Sequence, residues 1–151
     1  MDSIKQKEEN KIQVLSVFLD DQIFGIPALD VQDVLRPLQL TSVPLAPPHI
    51  KGVSNLRGRI VTAIDLRRRI QHNDNTERDS MNIVIERGSE LFSILVDRVG
   101  DVLNIDTDDI EAPPVTLSNG WRDVAKGVHQ LQDTIMIILD VNKILHTQAK
   151  D

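Results

Sequence analysis

The residues of this chain best placed to do chemistry are arginines. From Lys51 to Arg69 the sequence reads K-G-V-S-N-L-R-G-R-I-V-T-A-I-D-L-R-R-R. Two apolar runs, Gly52 to Leu56 and Arg59 to Ile64, flank Arg57-Gly58. Glycine takes positive φ without a Cβ clash, so the pattern predicts a β-hairpin with Arg57 at its tip. A guanidinium presented there either pairs with a carboxylate of the same chain or holds one on a partner, in a directional, bidentate contact. Asp65 is placed to N-cap a short helical turn over Leu66 to Ile70. The simplest reading of Arg67, Arg68 and Arg69 on that turn is a solvated face, partly paired with the chain's excess of acid.

The other reactive groups form no catalytic set. His49, His72, His129 and His146 lie at no metal-ligand spacing, and the absence of cysteine argues against a structural zinc site and excludes thiolate chemistry. Ser54 in G-V-S-N-L is not in a nucleophile elbow, and there is no P-loop or dinucleotide fingerprint. Asp106, Asp108, Asp109 and Glu111 form an acidic stretch without EF-hand spacing, read as a solvated turn. No enzyme, cofactor or metal is therefore expected. A net charge of −6 and 3% aromatic residues argue against a nucleic-acid partner. The polar start, M-D-S-I-K-Q-K-E-E-N, has no apolar signal region, and no run is long enough to span a bilayer.

The elements that must position the arginines are mostly strands. An apolar content of 40% with so few rings calls for an aliphatic core of Ile, Val and Leu. Ile12 to Leu19 and Ile23 to Ile26 read as strands around an Asp-Asp-Gln turn. Ala28 to Arg36 reads as a helix with Val31, Val34 and Leu35 on one face, most simply the core face, bounded by Pro27 and Pro37. Thr41 to Val43 reads as a short strand before a proline cluster. Residues 71–79 are polar throughout and read as a linker between two halves. Beyond it, Met81 to Glu86, Leu91 to Val96, Val99 to Ile105 (kinked near Gly100), Val124 to His129 and Thr134 to Leu139 read as strands, and Asp140 to Leu145 as a short capped helix. Many short strands with frequent turns indicate an all-β barrel or sandwich. Residues 1–11 read as a disordered leader and 147–151 as a tail.

The central stretch also carries a resemblance. G-V-x-N-L-R-G-x-I-x-x-x-x-D-L-R resembles the signature of the CheW family, adaptors that couple chemoreceptors to the histidine kinase CheA in bacterial chemosensory arrays. Gly52, Val53, Asn55, Leu56, Arg57, Gly58, Ile60, Asp65, Leu66 and Arg67 match as they stand. The resemblance spans roughly residues 12–146. It implies two small five-stranded SH3-like barrels on a shared apolar core, with short helices. It implies a cytoplasmic, non-enzymatic scaffold, monomeric alone and assembled into receptor arrays at the inner face of the membrane. Its partners would be the regulatory domain of CheA, meeting it barrel to barrel, and the helical tip of a chemoreceptor, lying in the groove between barrels. A related adaptor role in a system for pili, development or second-messenger control stays open. The residues implied to bind partners are Val31, Asp33, Arg57, Gly58, Val99 and Val102. Asp33 stands where the family has Glu, one methylene longer, and Ser93 stands where it has glycine.

Overall fold

A computed structural model of the chain describes residues 10–70 and 79–146. Its β-branched runs form ten strands: β1 Lys11–Leu19, β2 Gln22–Pro27, β3 Asp33–Leu35, β4 Ile50–Leu56, β5 Arg59–Asp65, β6 Met81–Arg87, β7 Glu90–Val96, β8 Arg98–Asp106, β9 Ala125–Gln130 and β10 Ile135–Leu139. Three short helices accompany them: α1 Leu66–Arg69, α2 Asn119–Arg122 and α3 Val141–Leu145. The strands make two five-stranded sheets, ordered β8-β1-β2-β10-β9 and β3-β6-β7-β5-β4.

Period-two alternation assigns each strand's two faces to different cores. On β10, Met136 and Ile138 enter a cluster inside the first sheet with Val14, Ile23 and Ile105. Ile137 and Leu139 enter a larger cluster that also receives Ile64, Ile83, Ile85 and Ile94 from the second sheet. The second sheet has its own small centre in Val61, Val84 and Leu91. Strands buried on both faces read as unbroken apolar runs, as I-M-I-I-L does here. Each sheet thus curls around a private core, and the two meet on a shared one, where Phe24 packs against Trp121 with centroids 5.6 Å apart.

The sheets match strand for strand. Each has a central hairpin (β1–β2, β6–β7), a parallel neighbour (β10, β5) and an outer hairpin partner (β9, β4). After β5, Asp65 caps α1 by accepting from Arg68 N–H; after β10, Asp140 caps α3 by accepting from Lys143 N–H. An isolated bridge reaches each outer strand, Thr41 to Val53 and Glu111 to Val128.

Several expectations need correction. Residues 28–36 are not a helix: Ala28–Asp30 is a single 3-10 turn, and Asp33–Leu35 pairs antiparallel with β6. The spacing of Val31, Val34 and Leu35 fits a helix, but the free edge of β6 offers pairing, and alternation then turns Leu35 inward and leaves Val34 at the surface. Thr41 alone of 41–43 pairs. Residues 71–79 do not divide the two sheets, because β5 and β6 on either side share one; 71–78 themselves lie outside the described residues. The chain changes sheet between β2 and β3 and again between β7 and β8. Residues 1–9 and 147–151, expected as leader and tail, also lie outside the described residues. Asn10 and Lys11 do not belong with a leader: Lys11 opens β1, and Asn10 C=O accepts from Thr107 N–H at 2.6 Å.

Arg67 is not solvated. Its side chain is 7% exposed and spans the sheets, donating to Asp20 Oδ2 at 2.7 Å and Asp97 Oδ2 at 2.6 Å. Asp20 lies in the β1–β2 turn and Asp97 between β7 and β8. Burial alone lowers the pKa of Arg67, but the hydrogen bonds and charges of the two aspartates outweigh it and raise the pKa above the ordinary arginine value. Removing the buried guanidinium takes a charged partner from Asp97, 20% exposed, and from Asp20, 47% exposed. Arg67→Met is expected to lower the unfolding free energy by about 3 kcal/mol, measured by urea titration, and Arg67→Lys to recover only part of it because an ammonium lacks the two-pronged fork.

Candidate partner-binding surface

The β4–β5 hairpin forms as the sequence predicts, with both central residues at positive φ: Arg57 at 54° and Gly58 at 86°. This two-residue geometry matches the strand twist, and Asn55 stabilises it by accepting Gly58 N–H at 2.9 Å. Gly52 has a different role, since a Cβ there would lie 2.6 Å from the Thr41 carbonyl that bridges to β4.

The tip reaches across the mouth of the second sheet. Arg57 Nη2 lies 3.6 Å from Asp33 Oδ2 on β3, with side-chain exposures of 76% and 41%. Arg59 Nη2 pairs with Glu86 at 3.1 Å and also donates to Ser89 C=O, while Gln32 donates to the other oxygen of Glu86 at 2.9 Å. Gln32, Asp33, Arg57 and Arg59 rim a shallow cleft of about 190 Å³ floored by Leu56, Val84 and Leu91. Asp33, Arg57 and Gly58 therefore come together. Gln32 belongs to the same rim, tied to Glu86 just outside it, and neither was singled out from sequence, because their pairing depends on β3 docking against β6.

The valines form a second group. Between Leu15↔Val102 and Val17↔Val99, two residues of β8 oppose one of β1, a β-bulge tied by Ser16 Oγ donating to Asp101 C=O at 2.7 Å. The bulge turns both Val99 and Val102 to one face. Val99 packs against the shared core, as does Val31, and Val102 is left 53% exposed. The six residues thus divide between the mouth of one sheet and the rim of the shared core.

Two further arginines are consumed by the fold. Arg69 donates to the carbonyls of Lys143, Ile144 and His146, satisfying the C-terminal end of α3. Arg87 donates to Asp30 and Asn142, each at 2.8 Å. Ser93 is fully buried on β7 and donates to Asn82 Oδ1 at 2.7 Å, so a hydroxyl occupies the place of the family's glycine with its hydrogen bond made. Among the described residues no group of three or more His, Asp or Glu is placed to hold a metal ion, and no helix is long and apolar enough to cross a membrane.

The profile of the CheW-like domain matches residues 13–149. The chain belongs to the CheW-like family. It is 34% identical to the chemotaxis protein CheW of Klebsiella aerogenes over 134 residues, 86% of this chain and 79% of that one. It is 27% identical to the chemotaxis protein CheW of Helicobacter pylori over 144 residues, 95% and 87% of the two chains. The crystal structure of the scaffolding protein TtCheW from Thermoanaerobacter tengcongensis matches with a TM-score of 0.80 at 28% identity, covering 93% of this chain and 91% of that one. The all-β CheW-like fold and the role of chemotaxis scaffold follow from these matches.

One titratable group in this CheW-like chain bears on stability. His49, on the loop entering β4, has its Nε2 buried without a hydrogen-bond partner among the described residues. Burial, reinforced by the charge of Arg69, lowers its pKa below the ordinary 6.5. The unfolded chain therefore takes up a proton that the fold refuses. His49 costs nothing above the unfolded pKa and destabilises as pH falls below it, down to the folded pKa. Wild type is expected to lose stability between pH 7 and 5, and His49→Asn to lose less across that window, read from chemical melts at each pH.

Proposed function

We propose that this chain is a non-catalytic adaptor that couples a chemoreceptor to the kinase CheA, with the kinase regulatory domain at the cleft beside Arg57 and the receptor's helical tip along the rim of the shared core. The observation that carries this reading is Arg57 itself. It is exposed, sits beside an apolar floor, and among the described residues forms one long ion pair, to Asp33. Arg67, Arg69 and Arg87, by contrast, are spent on internal contacts. A surface ion pair of this kind contributes roughly 0–1 kcal/mol, so a partner carboxylate displaces it at little cost. The cleft lacks a nucleophile paired with a base, which suits binding rather than catalysis. Val31, Val99 and Val102 offer the apolar strip on which a receptor helix would lie. Both contacts are small, so assembly in arrays at the inner face of the membrane would rest on multivalency.

Arg57→Glu is expected to shift stability by no more than about 0.5 kcal/mol yet to weaken capture of the CheA regulatory domain at least tenfold in a titration with purified proteins. A collapsed melting temperature would make Arg57 structural instead. Val31 is partly buried, so Val31→Asp disturbs packing as well as binding. Val102→Asp separates the two, and should abolish capture of a receptor tip fragment while the thermal melt stays close to wild type.

A further inference from the structure

The loop that feeds the central hairpin carries a feature that packing does not explain. Ala46 N–H donates to Val43 C=O at 3.3 Å, closing a four-residue turn with Pro44 and Leu45 at its centre. Leu45 has φ +64°. Proline followed by positive φ defines a type II turn, whose third position is the domain of Gly or Asn, and a bulky side chain there strains the backbone. That strain is not offset by burial, because Leu45 is 104% exposed. Val43 beside it is 39% exposed. The loop is braced behind the turn: Ile50 N–H donates to Pro47 C=O at 3.0 Å, Arg68 Nη1 to Pro48 C=O at 3.3 Å, and Asp65 N–H to His49 C=O at 2.8 Å. A leucine in a strained conformation, fully solvated, on a proline-stiffened mount, is shaped to enter something else.

Charge says what kind of surface receives it. From Val34 to Ile64 there is no aspartate or glutamate, while Arg36, Lys51, Arg57 and Arg59 fall within the same stretch, in a chain whose net charge is −6. That stretch supplies β4, the outer strand of its sheet, whose edge takes the Thr41 bridge at Val53, with Leu45 before one end and Arg57 just past the other. Six residue steps along β4 span roughly 20 Å, and a standard interface patch of about 800 Å² per partner is about 30 Å across. One partner that lies along β4 and extends over the Val43–Ala46 turn before it would touch both.

We propose that Leu45 is an apolar anchor for the same acidic protein partner that engages Arg57, seated in a socket ringed by carboxylates. This rests on the reading of Arg57 above, which makes that partner the CheA regulatory domain. The test is a titration of that domain against wild type, Leu45→Asn and Arg57→Glu, with thermal melts in parallel. Asparagine tolerates positive φ, so Leu45→Asn is expected to raise the melting temperature while weakening binding about tenfold. A lower melting temperature would mean that Leu45 supports the fold, and unchanged binding would mean that it is not an anchor; either overturns the inference. Loss of binding in Arg57→Glu with Leu45→Asn unaffected would leave the adaptor reading intact and remove Leu45 from it. No binding by wild type would overturn both. Loss of receptor-tip binding in Leu45→Asn, with kinase binding kept, would also refute the assignment.

Discussion

The structure depends on one buried guanidinium. Arg67 leaves a helix of the second sheet and ends between two aspartates, one in a turn of the first sheet and one at the strand crossover. Asp97 does more than accept: its Oδ2 also takes Asp20 N–H at 2.6 Å, and its own N–H donates to Phe18 C=O at 2.9 Å. The turn, the crossover and the helix are thereby fixed to one another by charge-assisted bonds in a poorly solvated site. Apolar contact between the two sheets is non-directional and by itself specifies their relative placement poorly. Directional bonds at the seam set the register of one sheet against the other.

The same logic explains why the helices are so short. Both α1 and α3 follow the strand that runs parallel to their sheet's central hairpin, are started by an aspartate cap, and end within about one turn. Isolated helices of this length are not stable. They persist because Leu66, Ile70, Val141 and Ile144 drop into the shared core, and because Arg69 closes the carbonyl end of α3 from α1. The two sheets match in strand order, cap and helix, and the first is completed by strands from the beginning of the chain. That arrangement forces both crossovers through the seam that Arg67, Arg69 and Arg87 hold.

Much of this was legible in the sequence. The central hairpin, its arginine tip, both aspartate caps, most strands and the kink near Gly100 follow from turn chemistry and period-two alternation, which are local signals. What was not legible is pairing at distance. Val31, Val34 and Leu35 fit a helix as well as a strand, and only the edge of β6 decides between them. The polar run after α1 looked like a boundary because composition changes there, but sheet membership is set by which edges are free. Arg67 looked solvated for the same reason: its partners, Asp20 and Asp97, are 47 and 30 residues away. The family motif was legible as a pattern, but its arginines divide into one for the surface and one for the seam only once the fold is known.

That division bears on how a rigid scaffold presents a reactive edge. The Arg57–Asp33 contact spans the mouth of the second sheet, from the end of the hairpin to the opposite edge strand. The charges stand 3.6 Å apart, beyond good hydrogen-bond length. At such exposure the pair adds little to stability; in the adaptor role proposed above, it would restrict the guanidinium before binding and so lower the entropy lost there. A tighter, bidentate pair would organise the arginine better but would have to be broken before a partner could use it. The long contact does the first job without imposing the second cost, and the positive φ at Arg57 aims the side chain without relying on Asp33 at all.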